Sequence, residues 1–215
     1  MLLLARHIYG TSVDASDGKL GNLIDFLFDD QRWSISQLVL DAGSWLNRRR
    51  VTLPPDIIKN KEWGDHRLSI TGLTRQQVID SPGIETHVPV SVHATLKEAT
   101  IMDWEIYWTS VVGTDHPWQI TNDPHVHNTR EVVGYHIQGT DGPIGHVADV
   151  VVEDELWTVR QLVVDTRNWW PGKHVLVPTT RVEAIDGPSR TVRLLLSRDT
   201  IQSSSSVQSL TAYET

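Results

Sequence analysis

Asp17-Gly18-Lys19-Leu20-Gly21-Asn22-Leu23-Ile24-Asp25-Phe26-Leu27-Phe28 returns 124 residues later as Asp141-Gly142-Pro143-Ile144-Gly145-His146-Val147-Ala148-Asp149-Val150-Val151-Val152. The match runs on without a gap to Pro54 and Pro178, and 13 of the 38 positions are identical. Beyond the aspartates and glycines of the quoted stretch, the identities include Asp30/Asp154, Trp33/Trp157, Gln37/Gln161, Asp41/Asp165, Trp45/Trp169 and Val51/Val175. An offset of 124 is far longer than the period of a solenoid, so the chain carries a duplicated domain and not a stacked array. The shared positions hold few reactive side chains, which points to binding before catalysis.

The pattern inside each copy is that of short strands. An Asp-Gly pair between apolar runs predicts a tight hairpin turn, because both residues tolerate positive φ. Alternating and β-branched residues predict strands over 20–28 and 144–152, then over 35–40 and 159–164 after an acidic turn. A short third strand over 51–53 and 175–177 stops at Pro54 or Pro178, since proline has no N–H for a ladder. A fourth is expected over 67–71 and 191–196. Close spacing with turns between predicts small barrels. Helix is scarce: one over 74–79, capped by Thr74, and a counterpart over 198–201. Gly21 and Gly145 are expected to permit a bulge or a close backbone approach.

The fold class expected is therefore all-β with minor α. The domains expected are a first barrel over 1–86, a connector over 87–128, a second barrel over 129–202 and a flexible tail over 203–215. The connector region carries Trp104, Tyr107, Trp108 and Trp118, too much aromatic surface to leave in water, and is expected to pack on the barrels.

Composition narrows the function. The chain has 215 residues, a hydrophobic share of 39% and a charged share of 21%, as in ordinary globular domains. No run of 18 apolar residues is present, and Met1-Leu2-Leu3-Leu4 lacks a basic stretch before it, so neither a membrane span nor a secretory leader is expected. Cysteine is absent, which removes thiolate chemistry and fits a cytoplasmic address. The net charge of −8 disfavours nucleic acid. That charge is uneven: residues 1–100 hold 11 basic and 12 acidic side chains, a sum of −1, and residues 101–215 hold 8 and 15, a sum of −7. The one basic run, Arg48-Arg49-Arg50, is a candidate contact for an anion or lipid headgroup, or else a solvated turn.

Asp-Gly-x-x-Gly-x-x-x-Asp, an acidic turn, a Trp, a Leu-Val-x-Asp strand and a later Val-x-x-Pro together resemble the PRC-barrel family. That fold is known from the cytoplasmic domain of the photosynthetic reaction centre H subunit and from a ribosome-maturation protein. The resemblance covers both repeats, about two thirds of the chain. It implies two tandem small β-barrels that dock on other proteins. In its specific form it implies a peripheral subunit, cytoplasmic or at the cytoplasmic face of the inner membrane, that caps a photosynthetic membrane complex and assists proton transfer. No membrane anchor of its own is expected, and a homodimer is open. The alternative is a free soluble tandem-barrel protein, related to stress, that binds a small ligand or metal.

The duplicated Asp25/Asp149 and Asp41/Asp165 could serve as bases or metal ligands. Their recurrence in both copies favours a structural task, accepting backbone N–H bonds in adjoining turns. Trp33/Trp157 and Trp45/Trp169 are expected to plug the barrels or anchor loops. The most specific polar run is Asp123-Pro124-His125-Val126-His127-Asn128. On an extended segment His125 and His127 share a side. With Asp123 they could bind Zn²⁺ or a similar ion, relay protons, since histidine titrates near neutral pH, or form a polar loop. All three readings stay open, and the reaction centre H subunit has a similar run ahead of its barrel. No nucleophile elbow, P-loop, dinucleotide fingerprint or zinc-protease motif is present. No cofactor is expected, and the chain is read as non-enzymatic.

Overall fold

The computed structural model describes residues 1–46, 50–80, 124–166 and 174–203. The connector aromatics Trp104, Tyr107, Trp108 and Trp118, the tail from 204, and Arg48, Arg49 and Asp123 lie outside these residues. So do Trp169 and the side chain of Trp45.

The described chain is mostly strand with a few short helices. In order it forms β1 (Leu2–Leu4), α1 (Ala5–Ile8), β2 (Ser12–Ala15), β3 (Gly18–Asp29), β4 (Ile35–Asp41), β5 (Arg50–Leu53), β6 (Ile58–Glu62), β7 (Arg67–Ile70) and α2 (Arg75–Asp80). After the connector come β8 (Val126–Asn128), α3 (Thr129–Val132), β9 (His136–Gly139), β10 (Gly142–Glu153), β11 (Thr158–Asp165), β12 (His174–Pro178), β13 (Val182–Asp186), β14 (Thr191–Leu194) and α4 (Arg198–Ser203). Two sheets result. One follows the order β12-β11-β10-β9-β14-β13 with β1 added on β10. The other follows β5-β4-β3-β2-β7-β6 with β8 added on β3. Strand for strand, the second order is the first moved back by one repeat.

The duplication reaches further upstream than the identities suggest, because β1 corresponds to β8 and α1 to α3. The chain forms two compact units, and they are not consecutive stretches. One holds Met1–Tyr9, Asp25–Ile35 and Pro124–Thr215; the other holds Gly10–Ile24 and Ser36–Asp123. The first unit therefore contains chain from both repeats. Within it, β1 pairs antiparallel with β10 (Leu2 with Glu153, Leu3 with Val152, Leu4 with Val151). In the same unit β8 pairs with the end of β3 (Val126 with Asp29, His127 with Phe28, Asn128 with Leu27). Each pair is the image of the other at the offset of 124. Each repeat thus lends its leading strand to the long strand of the other.

Gly10 and Gly134 make this lead-in possible. Both sit at positive φ, +86° and +92°, just after the one-turn helices. There the chain turns to donate N–H bonds to Leu23 O and Val147 O. A side chain at such φ is strained, so glycine is the fitting residue.

The core of the first unit is aliphatic along β10 and β11 and aromatic at Phe26, Phe28, Tyr135 and Trp157. Val147, Val150, Val151 and Val152 of β10 are buried, and so are Leu162, Val163 and Val164 of β11. Leu4 packs on Val151 and Val163. Val150, Val151 and Val152 are buried consecutively, so both faces of β10 are covered there. A strand covered on both sides is apolar in runs and not in alternation.

In the second unit, the α2 start carries the expected cap in full. Thr74 Oγ1 accepts from Gln77 N at 3.3 Å, and Gln77 Oε1 accepts from Thr74 N at 2.8 Å. This is a reciprocal capping box. Gly21 lies under the backbone of Asp41, where a Cβ would come within 2.3 Å of the carbonyl oxygen. The equivalent figure for Gly145 and Asp165 O, in the first unit, is 1.9 Å.

The Asp-Gly pairs stand at hairpin turns, as expected, with Gly18 and Gly142 at positive φ of 134° and 144°. The hairpins close between Ala15 and Gly18 and between Gly139 and Gly142. Their tip residues are Ser16-Asp17 and Thr140-Asp141, and neither aspartate adopts positive φ. The aspartates instead reach along the chain. Asp17 accepts from Arg75 N at the start of α2 (2.9 and 3.0 Å), and Asp141 accepts from Arg198 N at the start of α4 (2.8 Å). A carboxylate there satisfies an N–H that a helix start leaves open.

Candidate functional site

His125 and His127 stand on and just before β8, two residues apart, and their side chains reach the same carboxylate. The His125 Nδ1–H donates to Asp30 Oδ1 at 2.9 Å, and the His127 Nε2–H donates to Asp30 Oδ2 at 3.1 Å. The backbone adds a third link, Asp30 N to His125 O at 2.9 Å. Asp30 belongs to the acidic turn after β3. Its neighbour Asp29 holds that turn by accepting from Gln31 N and Arg32 N at 2.8 and 2.9 Å. The His127 ring also lies 5.7 Å from Phe28, which in turn stacks on Trp33 at 5.7 Å.

Burial grades this array. The side chain of His125 is 47% exposed, that of Asp30 8% and that of His127 7%. The carboxylate therefore links a solvent-facing imidazole to an enclosed one. Burial works against the charge of Asp30, but the hydrogen bonds from His127 and His125 outweigh it and hold the carboxyl below its ordinary value.

A depressed folded pKa has a definite sign. The array adds stability above the unfolded value, about 4, and loses it as pH falls through the lower folded value. Acidification from neutral pH should therefore leave the β8 amides protected from hydrogen exchange until the carboxylate range is passed. Asp30→Asn should cost about 1.5–3 kcal/mol at neutral pH, the range for hydrogen bonds to a charged group, and flatten the acid limb of a stability-against-pH curve. An unchanged acid limb in the variant would show that Asp30 does not carry it.

The other repeat has a different arrangement at the same place. Asp154 N bonds Met1 O at 3.1 Å, and Asp154 Oδ1 accepts from the Met1 amino group at 2.7 Å. The position matching His127 is Leu3. The paired imidazoles belong to one copy alone.

A second cluster joins the repeats beside the array. Asp25 Oδ1 accepts from Thr129 Oγ1 at 2.7 Å, Phe26 N at 2.8 Å and Arg130 N at 3.1 Å. Thr129 Oγ1 also meets Tyr9 OH at 2.7 Å, and the Arg130 guanidinium lies 4.5 Å from the Tyr9 ring centroid. Burial raises the Tyr9 phenol well above its usual value. It also raises Asp25, with the bonds from Thr129, Arg130 and Phe26 opposing the rise. In the other copy, Asp149 accepts from Val150 N at 2.8 Å and faces Arg6 Nε at 3.6 Å. Burial raises Asp149 too. Asp41 accepts from Gly43 N at 2.8 Å. The duplicated Asp17, Asp25, Asp41, Asp141 and Asp149 thus all accept backbone N–H groups.

The duplicated tryptophans occupy left-handed backbone, with φ of 58° at Trp33 and 49° at Trp157. Their carbonyls accept across the two repeats: Ile35 N bonds Trp157 O at 2.7 Å, and Val159 N bonds Trp33 O at 2.8 Å. Between them Ser34 bridges Thr158, its own equivalent at the offset of 124. Trp157 is 6% exposed and lies 6.1 Å from Phe26.

Among the described residues, no group of three or more His, Cys, Asp or Glu side chains surrounds a common metal position. Asp123, the third member of the run read from the sequence, lies outside them. Of the basic run, Arg50 is described: it opens β5, exposed, opposite Asp41. The role of Asp30 carried no local sequence signal, since it depends on a pairing 95 residues away.

These features define an all-β protein of two related sheets with a histidine–carboxylate array in one repeat. Among the described residues no helix is long and apolar enough to cross a membrane. No protein-family model matches the chain, and no curated protein matches it.

Proposed function

We propose that the chain is a non-enzymatic docking protein whose two sheets form small PRC-type barrels. In its specific form it caps a membrane-protein complex from the cytoplasmic face and assists proton delivery to it. The observation that carries this reading is the array His125–Asp30–His127, in which a buried carboxylate ties an exposed imidazole to an enclosed one. The two imidazoles and the carboxylate form a continuous hydrogen-bonded path from solvent to an enclosed position, along which a proton can pass without covalent chemistry. The resemblance of the repeats to a docking fold supports the same reading, as does their sequence, which holds no catalytic motif. The test is an affinity pull-down from detergent-solubilised membranes read by mass spectrometry. A membrane complex should be captured by wild type and by His125→Ala/His127→Ala, with slower proton uptake in the variant. Recovery only as a free species, at every salt concentration, overturns the docking reading.

A further inference from the structure

Four residues of the second repeat form a row across four neighbouring strands. His136 of β9 is the direct partner of His146 on β10, His146 of Asp165 on β11, and Asp165 of His174 on β12. Directly opposed residues of antiparallel strands present their side chains to one face, with Cβ atoms about 5 Å apart. The observed geometry shows the convergence. His146 Nε2 lies 3.6 Å and His174 Nε2 4.0 Å from the same oxygen, Asp165 Oδ2. The Asp165 side chain is 1% exposed, while His146 and His174 are 36% and 39% exposed. The carboxylate sits at the floor, and the imidazoles stand at the rim.

The first repeat has the same row with other residues: Ser12, Asn22, Asp41 and Arg50, with Ser12 opposite Asn22 and Asp41 opposite Arg50. The carboxylate is common to both copies, whereas the three histidines occur in one. The scaffold tolerates either set, so folding alone does not call for imidazoles there.

We propose that His146, Asp165 and His174, with His136 beside them, form a binding site for a divalent transition-metal ion of the Zn²⁺ or Ni²⁺ class. Two donors on a tetrahedral ion, each about 2.0–2.2 Å from it, stand about 3.3–3.6 Å apart. The His146–Asp165 separation of 3.6 Å falls at the edge of that range and beyond ordinary hydrogen-bond reach. No three described donors yet enclose one point. Closing the site takes rotation of His174, at the β12 end of the row, and of His136, at the β9 end, if it joins. Two imidazoles and one carboxylate suit zinc and nickel, whereas calcium and magnesium favour sets of oxygen donors.

The test is calorimetric titration of the full chain with Zn²⁺ and, separately, Ni²⁺ at neutral pH. Wild type should show saturable binding that weakens on acidification, because metal ligands must be deprotonated to bind. His146→Asn/His174→Arg should abolish it. That variant carries the residues the first repeat has at these places, and an unchanged thermal midpoint checks that it folds. His125→Ala/His127→Ala should bind as wild type does, which separates this site from the array at Asp30. Absence of saturable binding in wild type, equal binding in His146→Asn/His174→Arg, or loss only in His125→Ala/His127→Ala would each overturn the proposal.

Discussion

Gly145→Ala is expected to destabilise the protein by about 3 kcal/mol or more, the upper range for overpacking a close-packed interior. A Cβ at Gly145 would lie 1.9 Å from Asp165 O, 3.0 Å from Asp165 C and 3.3 Å from Thr166 Cα. All three obstacles are backbone. No side-chain rotation relieves them, and separating β10 from β11 breaks a central pairing of the sheet. Gly21→Ala faces the same obstacle at 2.3 Å and should be nearly as damaging. Gly64→Ala is the control: nothing lies within 4 Å of its Cβ, and its φ is not in the left-handed region. It should stay within about 0.5 kcal/mol of wild type, as surface changes do. Urea unfolding of the three variants measures this. A Gly145→Ala protein as stable as Gly64→Ala would mean that β10 and β11 do not approach as described.

The second large effect concerns the exchanged leading strands. A protease site introduced between the repeats, once cut, should leave the two fragments bound together. Met1–Tyr9 and Asp25–Ile35 are integral to the unit that holds the second repeat. The join includes two strand pairings, the Trp33 and Trp157 carbonyl bonds and the capping by Asp25. Gel filtration of the cut protein should show one peak at the mass of the whole chain. Leu4→Ala in the same background should weaken the association, since Leu4 is fully buried between Val151 and Val163. A Leu→Ala change in a core costs about 2–5 kcal/mol. At about 3 kcal/mol, the fragments would part at a concentration more than ~100-fold higher than for wild type. Free separation of the cut wild-type fragments would contradict the exchange.

Much of the secondary structure was legible because it is local. The alternation along 20–28 and the valines of 144–152 report strands in their own composition, and β3 and β10 span them. Thr74 announces the start of α2 through a residue only three positions ahead. Gly21 and Gly145 were readable as sites of a bulge or a close backbone approach, because glycine carries no Cβ to obstruct either. The leading strands were not legible. Leu2-Leu3-Leu4 is three apolar residues, too short to show a period, and its partner lies about 150 residues away. Asp17 was read as a turn residue, yet its carboxylate serves a helix start 58 residues on. The aspartate is at the hairpin, as expected; its bond depends on how α2 returns to it.

The candidate sites divide in the same way. The alternation of side chains placed His125 and His127 on one side, and they do reach a common group. That this group is Asp30 follows only from β8 lying on β3. The row His136–His146–Asp165–His174 is invisible along the chain, where its members are 10, 19 and 9 residues apart. Strand register brings them into line. By itself the sequence determined the duplication, the strand-rich class and the positions where the two copies differ, because these rest on spacing and residue chemistry within short windows. Tertiary structure alone decided which repeat completes which sheet and which carboxylate each histidine meets. Those outcomes depend on pairing energies between segments distant in the chain, and no local pattern encodes the choice of partner.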